Sequence, residues 1–225
     1  MRGLCSRRIP QLSSRSSLDP EAYRTMLLAS HHSAPASIRA SIDAHIAVIQ
    51  ALATMEEDIA QFAERAWRCL AEGGRLFWIG NGGSAADCQH LAAELVGRFE
   101  RERRGIASVA LTTDSSVLTS VSNDYGFESV FARQVEALCR PGDMLVGLST
   151  SGNSANVLRA MEVAATLGVD RVGLTGGSGG RLRQQSELCL VAPSDNTARI
   201  QEAHVLIGHI LCDLIERQAI EAAVR

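Results

Sequence analysis

The sequence predicts an α/β domain, a three-layer αβα sandwich on a five-stranded parallel sheet, with two further helices ahead of it. Three observations carry this expectation. Short apolar runs alternate with segments of helical periodicity, the runs are apolar almost throughout, and glycine-bearing turns close three of them. Strands alternating with helices imply parallel pairing, because a helix makes each return crossing. Continuously apolar strands imply burial on both faces of the sheet.

The elements follow in order. Apolar residues recur at helical spacing at Ile38, Ile42, Ile46, Ile49 and Leu52, and again at Ile59, Phe62, Ala66 and Leu70, which predicts two helices ended by Gly73-Gly74. Their stripe exceeds what one sheet face needs, so part of it is expected to meet another subunit. "RLFWIG" predicts the first strand, with a helix from about Ser84. "IASVALT" predicts the second, followed by polar turns and helical segments through Leu138. "DMLVGLS" predicts the third, with a helix from Ser154 to Leu167. "DRVGLTG" and a short helix come next, then "LCLVA" as the last strand and a long helix from about Thr197. The domain is expected over residues 35–225, with residues 35–73 as oligomerisation helices. Residues 1–34 are expected to form a disordered extension, since the first seventeen are rich in arginine and serine and carry no acid.

Composition excludes several classes. With 225 residues, 46% of them hydrophobic, the chain can fill a full core, and a net charge of −3 argues against a general nucleic-acid binder. No apolar run is long enough to span a bilayer, so neither a membrane nor a nucleic acid is expected as partner, and a cytoplasmic location is. The chain contains no lysine, which removes Schiff-base catalysis and any Walker-type lysine. A phosphate would have to be held by hydroxyls, backbone N–H groups or arginine. Cys5, Cys69, Cys88, Cys139, Cys189 and Cys212 are scattered without a CxxC, so neither a zinc ribbon nor a disulfide framework fits, and reduced thiols are expected.

In open α/β sheets ligands collect beyond the carboxyl ends of the strands. Three glycine turns fall there: Gly80 to Ser84, Ser149 to Ser154, and Gly176 to Gly180. "STSGNS" places four hydroxyls in six residues before a helix. A helix cap needs one hydroxyl, whereas an anion cradle uses several together with the helix N-terminus. His90, Glu94 and Arg98 stand at four-residue steps on one helix face, a pattern that a solvated surface pair would also produce. In the last helix, His209 lies beside Gly208 in an apolar stretch from Val205 to Ile215 that predicts burial nearly all round. Gln201 lies two turns earlier, about 12 Å along the axis, and His204 reads as structural. Asp124, in the polar turn "SNDYGF", suits sugar hydroxyls or an Asx-type turn. "RFERERRG" reads as a solvated helix end and "TGGSGG" as a flexible turn.

"GNGGSAAD", "QHLAAEL", "ALTTDSS", "SNDYGF", "LSTSGNSANV", "LTGGSGG" and "ARIQEAHVLIGHILCDLIE" occur in this order. Over residues from about 38 to 220 the chain resembles the phosphoheptose isomerases of the sugar isomerase (SIS) fold family. The resemblance implies a flavodoxin-like SIS fold and the conversion of sedoheptulose 7-phosphate to D-glycero-D-manno-heptose 7-phosphate through an enediol, toward nucleotide-activated heptose. It also implies a homotetramer with active sites shared between subunits. On the matching positions, Glu94 and His209 are the base and acid, and Ser149, Thr150, Ser151 and Ser154 form the phosphate cradle. Asn81, Gly82, Gly83, Ser84, Arg98 and Asp124, with Glu94 and Gln201, contact substrate. One zinc ion per subunit is implied at His90, Glu94, Gln201 and His209. A carboxylate bound to zinc is a weaker base, so either Glu94 loosens from the metal during turnover or the metal is partly organisational. Ala198 departs from members that carry aspartate there. Two other readings are a non-catalytic SIS tetramer that binds a protein partner, of the type that regulates replication initiation, and a sugar-phosphate sensor. The presence of both Glu94 and His209 favours the enzyme over the first, and no DNA-binding module supports the second.

Overall fold

The structure, a computed structural model, describes residues 34–224. The extension expected over residues 1–34 therefore lies, except for Ala34, outside the described residues. By its internal contacts the chain divides after Ile42, and the unit from Asp43 onward carries the sheet. Helix α1 (Ala34–Ala51) leads through a 3-10 turn (Leu52–Met55) to α2 (Glu56–Ala71). There follow β1 (Leu76–Gly80), α3 (Gly83–Val96), β2 (Ser108–Ala110), α4 (Ser115–Tyr125) and α5 (Val130–Leu138). The second half comprises β3 (Met144–Leu148), α6 (Ala155–Thr166), β4 (Asp170–Gly176) and α7 (Leu182–Gln185), then β5 (Leu188–Ala192) and α8 (Thr197–Val224).

The five strands pair in parallel in the order β2-β1-β3-β4-β5. Successive crossings run one way to β2 and the other way from β3 on, so the switch point lies between β1 and β3, where such sheets bind ligands. Register puts Gly80 opposite Leu148, so the chain leaves both strands side by side at this point.

Side chains alternate across the sheet and fill two cores. Leu76, Trp78, Val146 and Leu174 join Phe62 of α2, Leu91 and Leu95 of α3, and Ile207 and Leu211 of α8. Phe77, Ile79 and Leu145 face the opposite way, onto Val135 of α5 and Val157 and Met161 of α6. Each fully buried side chain of this size contributes about 1.5–3 kcal/mol. Trp78 enters the core without an orphaned polar group, since its indole N–H donates to Ser108 Oγ at 2.8 Å. Cys69, Cys88, Cys139 and Cys212 are buried free thiols, and burial, reinforced by Asp143, pushes Cys69 up to about 12. Among the described residues, no helix is long and apolar enough to cross a membrane.

Three local expectations need correction. Strand β2 is only Ser108–Ala110, at one edge of the sheet, where it pairs with β1 alone. Ser122 to Tyr125 is the last turn of α4, not a loop. Asp114 caps this helix, its Oδ1 accepting the Val117 N–H at 3.0 Å, and Gly126 ends it. Helix α8 is not buried all round: Val205 and Leu206 are half-buried and Ile210 is exposed, since the helix packs against its neighbours on one side.

His204 is fully buried under β4, its Nε2 3.0 Å from the Thr175 carbonyl oxygen, which fixes the proton on that nitrogen. Burial pushes its imidazole down to about 4 from 6.5, only partly offset by this bond. The folded chain thus refuses a proton that the unfolded chain accepts below pH 6.5. Stability from this group is complete above pH 6.5 and is lost as pH falls toward 4. Between pH 7 and pH 5 it should cost about 2 kcal/mol. Urea unfolding of wild type and His204→Gln should show this part of the pH slope in the wild type only, and equal slopes would contradict a buried neutral His204.

Candidate active site

The two turns at the switch point are built differently. After β1, Gly82 adopts φ 55° at the start of α3 and no side chain caps the helix. After β3, Ser154 occupies the cap position of α6, yet its hydroxyl does not bond back to the helix. Ser154 Oγ instead lies 2.9 Å from Ser149 Oγ, across the turn. An ordinary serine cap would use its oxygen on the helix N–H groups, so these hydroxyls are organised around the turn itself. Ser149 is buried, Thr150 and Ser154 are half-buried and Ser151 is exposed, which grades the hydroxyls from floor to rim.

"TGGSGG" is a buttress of this turn and not a loose connection. Gly152 has φ 66°, and a Cβ on it would run into the Gly179 carbonyl oxygen. The Leu182 N–H donates to the Gly152 carbonyl at 2.9 Å, and the Arg181 N–H to Asn153 Oδ1 at 3.2 Å. Composition suggested mobility because glycines are permissive; here they permit close backbone approach instead.

Sequence reasoning also missed Asn156. This buried residue in the first turn of α6 pairs amide to amide with Asn81, at 2.9 and 2.8 Å in the two directions, and so ties the two turns together. The signal was the repeated asparagine in "GNGGS" and "GNSAN", which flanked both turns.

Helices α3 and α8 lie against each other on the same face of the sheet. Gly208 makes this possible: a Cβ there would strike the Leu91 side chain. The contact brings the neighbours of both residues together. His90 Nε2 and His209 Nε2 stand 2.7 Å apart, with the rings edge to face at a centroid separation of 5.0 Å. At that separation one ring nitrogen donates and the other accepts. Glu94 Oε1 lies 3.7 Å from His90 Nε2, with the His90 side chain 46% exposed and that of Glu94 24%. The acid and both imidazoles therefore form one partly sheltered group, able to exchange protons with something placed over it. Phe99 closes one side, its ring centroid 5.5 Å from that of His209. Asp87 stands one turn before His90; burial pushes its carboxyl up, His90 offsets part of this, and its Oδ2 has no hydrogen-bond partner among the described residues.

The remaining sequence candidates lie outside this group. The Gln201 amide rests against Gly83 at the start of α3, two helical turns from His90. Arg98 pairs with Glu102 at 3.3 Å, and Asp124 Oδ1 accepts from Asn123 Nδ2 at 2.8 Å. Among the described residues, no set of three or more His, Cys, Asp or Glu side chains has metal-binding geometry.

With this geometry in hand, the likeness to known proteins is specific. The SIS domain matches residues 42–176. The phosphoheptose isomerase of Roseiflexus sp. is 55% identical over 184 residues, covering 82% of this chain and 92% of its own. Among solved structures, a phosphoheptose isomerase from Neisseria gonorrhoeae superposes with a TM-score of 0.77 at 43% identity, covering 81% of this chain and 98% of its own. One from Francisella tularensis superposes with a TM-score of 0.77 at 38% identity, covering 82% and 99%. The chain belongs to the SIS domain family and, within it, to the phosphoheptose isomerases, which are aldose–ketose isomerases.

Proposed function

We propose that this protein converts sedoheptulose 7-phosphate to D-glycero-D-manno-heptose 7-phosphate through an enediol, in the cytoplasm, on the way to nucleotide-activated heptose. The observation that carries the reading is the proton-transfer group of Glu94, His90 and His209 on α3 and α8, together with the hydroxyl-lined turn before α6, which the Asn81–Asn156 pair ties to the turn before α3. The two features suit the two ends of the sugar. The phosphate sits on C7, and the reacting carbons are C1 and C2. The turn from Ser149 to Ser154 takes the phosphate, and no lysine is needed because hydroxyls and backbone N–H groups do the holding. Asn81 to Ser84, Arg98, Asp124 and Gln201 are assigned to the sugar hydroxyls.

In the chemical step Glu94 removes a proton from C1 of the ketose while the C2 oxygen is protonated, giving the enediol. The proton returns to C2 as the C1 oxygen loses its own, giving the aldose. His209 serves the oxygens as acid and base, since an imidazole does both near neutrality. The donor set of His90, Glu94, Gln201 and His209 suits zinc in its chemistry: two imidazole nitrogens, a carboxylate and an amide oxygen. A bound zinc ion would polarise the sugar carbonyl. We also assign a homotetramer. His90 is half exposed in the single chain, whereas proton transfer at carbon benefits from exclusion of water. A second subunit over this face, and over exposed Ile46 and Val96, would supply it. The non-catalytic reading is not favoured, because nothing in it uses the acid beside paired imidazoles.

Three outcomes are expected. Glu94→Gln and His209→Asn should each lower kcat by about 10²-fold or more, the usual scale for a lost general base or acid. Solvent deuterium should enter C1 of the ketose or C2 of the aldose with wild type and almost not at all with Glu94→Gln; labelling at the wild-type rate would move the base elsewhere.

Replacing Ser151 and Ser154 together by alanine should weaken substrate binding by about 1 kcal/mol or more per lost hydrogen bond, with a smaller effect on kcat. Calorimetric titration with the sugar phosphate checks this, and unchanged affinity would remove the turn from the site.

Chelation should lower activity and stoichiometric zinc should restore it, with metal content following activity. Full turnover by demetallated protein would exclude zinc while leaving the acid–base assignment standing.

A further inference from the structure

The charged run after α3 does not form a solvated helix end. Helix α3 stops at Val96, and the segment beyond it folds back over α8 onto a fully buried glutamate. Glu216 has 0% side-chain exposure, and its carboxylate accepts three consecutive backbone N–H bonds. Phe99 and Glu100 donate at 3.0 Å each and Arg101 at 2.9 Å. Arg103, 4% exposed, lies with its Nε 3.4 Å from Glu216 Oε1. The rest of its guanidinium caps α3 from below: Nη2 donates to the Glu94 carbonyl at 2.8 Å, and Nη1 to those of Leu95 and Gly97 at 2.8 and 2.9 Å. Burial alone would push the Glu216 carboxyl up, but the backbone N–H groups and Arg103 outweigh it and hold it below the usual range.

This cluster touches both proton-transfer residues through other groups. Arg103 grips the main chain of Glu94 itself. Glu216 grips the main chain of Phe99, whose ring lies against His209. Glu216 and His209 are also seven residues apart on α8, hence on one face of that helix. We propose that Glu216, Arg103 and Phe99 are positioning residues for the isomerisation: a buried clamp that sets the separation of Glu94 and His209, with Phe99 as the arm that holds the imidazole.

The clamp is remote in sequence from the hydroxyl-lined turn but adjoins Arg98, so loosening it should disturb the chemistry more than the hold on the phosphate. Misplacement by a fraction of an ångström to an ångström is costly for proton transfer. The inference rests on the assignment of Glu94 and His209 made above, and the test separates the two. Full-length Phe99→Leu, Phe99→Tyr and Glu216→Gln are compared with wild type, Glu94→Gln and His209→Asn by steady-state kinetics per folded subunit, across pH. Phe99→Leu and Glu216→Gln should lose kcat by about tenfold or more with a clearly smaller change in KM, and the limbs of the kcat pH profile should move. Phe99→Tyr, which keeps the ring, should restore kcat to near wild type. If Glu216→Gln does not fold, the half-buried Phe99 pair decides alone. A kcat within about twofold of wild type in Phe99→Leu, alongside inactive Glu94→Gln and His209→Asn, would overturn the clamp and leave the catalytic assignment intact. Active Glu94→Gln and His209→Asn would overturn both.

Discussion

The close contact of α3 with α8 at Gly208 and Leu91 is the constraint on which the candidate active site depends. Two helices that follow different strands have no local reason to place an acid and two imidazoles together. They do so because both pack onto the same face of the sheet, and because one position on α8 lacks a side chain. Leu91 fills the space that a larger residue would need, and it is itself fully buried in the core beneath. His90 and His209, next in sequence to the two contact residues, are then forced together at 2.7 Å. Packing and chemistry are therefore the same contact seen from two sides: the apolar half closes the core and the polar half faces solvent.

The sheet contributes the other half of the site. Reversal of strand order between β1 and β3 leaves a crevice that no crossing helix covers. The chain fills its rim with small and hydroxylated residues, so main-chain N–H groups and side-chain oxygens stay accessible. Two devices keep these turns from collapsing. The Asn81–Asn156 amide pair spans them, and the Gly179–Gly180 backbone supports one from behind. Both use hydrogen bonds and close backbone contact in place of charge, consistent with a chain that has no lysine.

Much of this was legible in advance, and the reasons differ by element. The five strands and the helices between them are recorded in local patterns, apolar runs and helical periodicity, because each must bury a continuous face. The strand-end turns carry glycine and hydroxyl chemistry that is likewise local. Less legible were elements whose state depends on a distant partner. Arg103 looked like one arginine in a solvated charge run; its buried partner, Glu216, comes 113 positions later, a separation read from the numbering. "SNDYGF" looked like a turn because its polar residues hide a helix end on the protein surface. "TGGSGG" looked flexible because glycine permits both disorder and tight contact, and only the neighbouring turn distinguishes them.

By itself the sequence determined the class of fold, the strand-end position of the glycine and hydroxyl turns, the absence of lysine-based catalysis, and the inventory of acid, imidazole and hydroxyl groups. These follow from periodicity and residue type, which act over a few residues. The tertiary structure decided which of those groups meet. His209 could have been an ordinary buried histidine, as His204 is, with its ring against the Thr175 carbonyl and no access to solvent. The two differ in the face of α8 on which they lie: one turns to the sheet and the other to α3. That difference is set by how a 28-residue helix is rotated against its neighbours, and this rotation is fixed by the summed packing of residues from the whole chain.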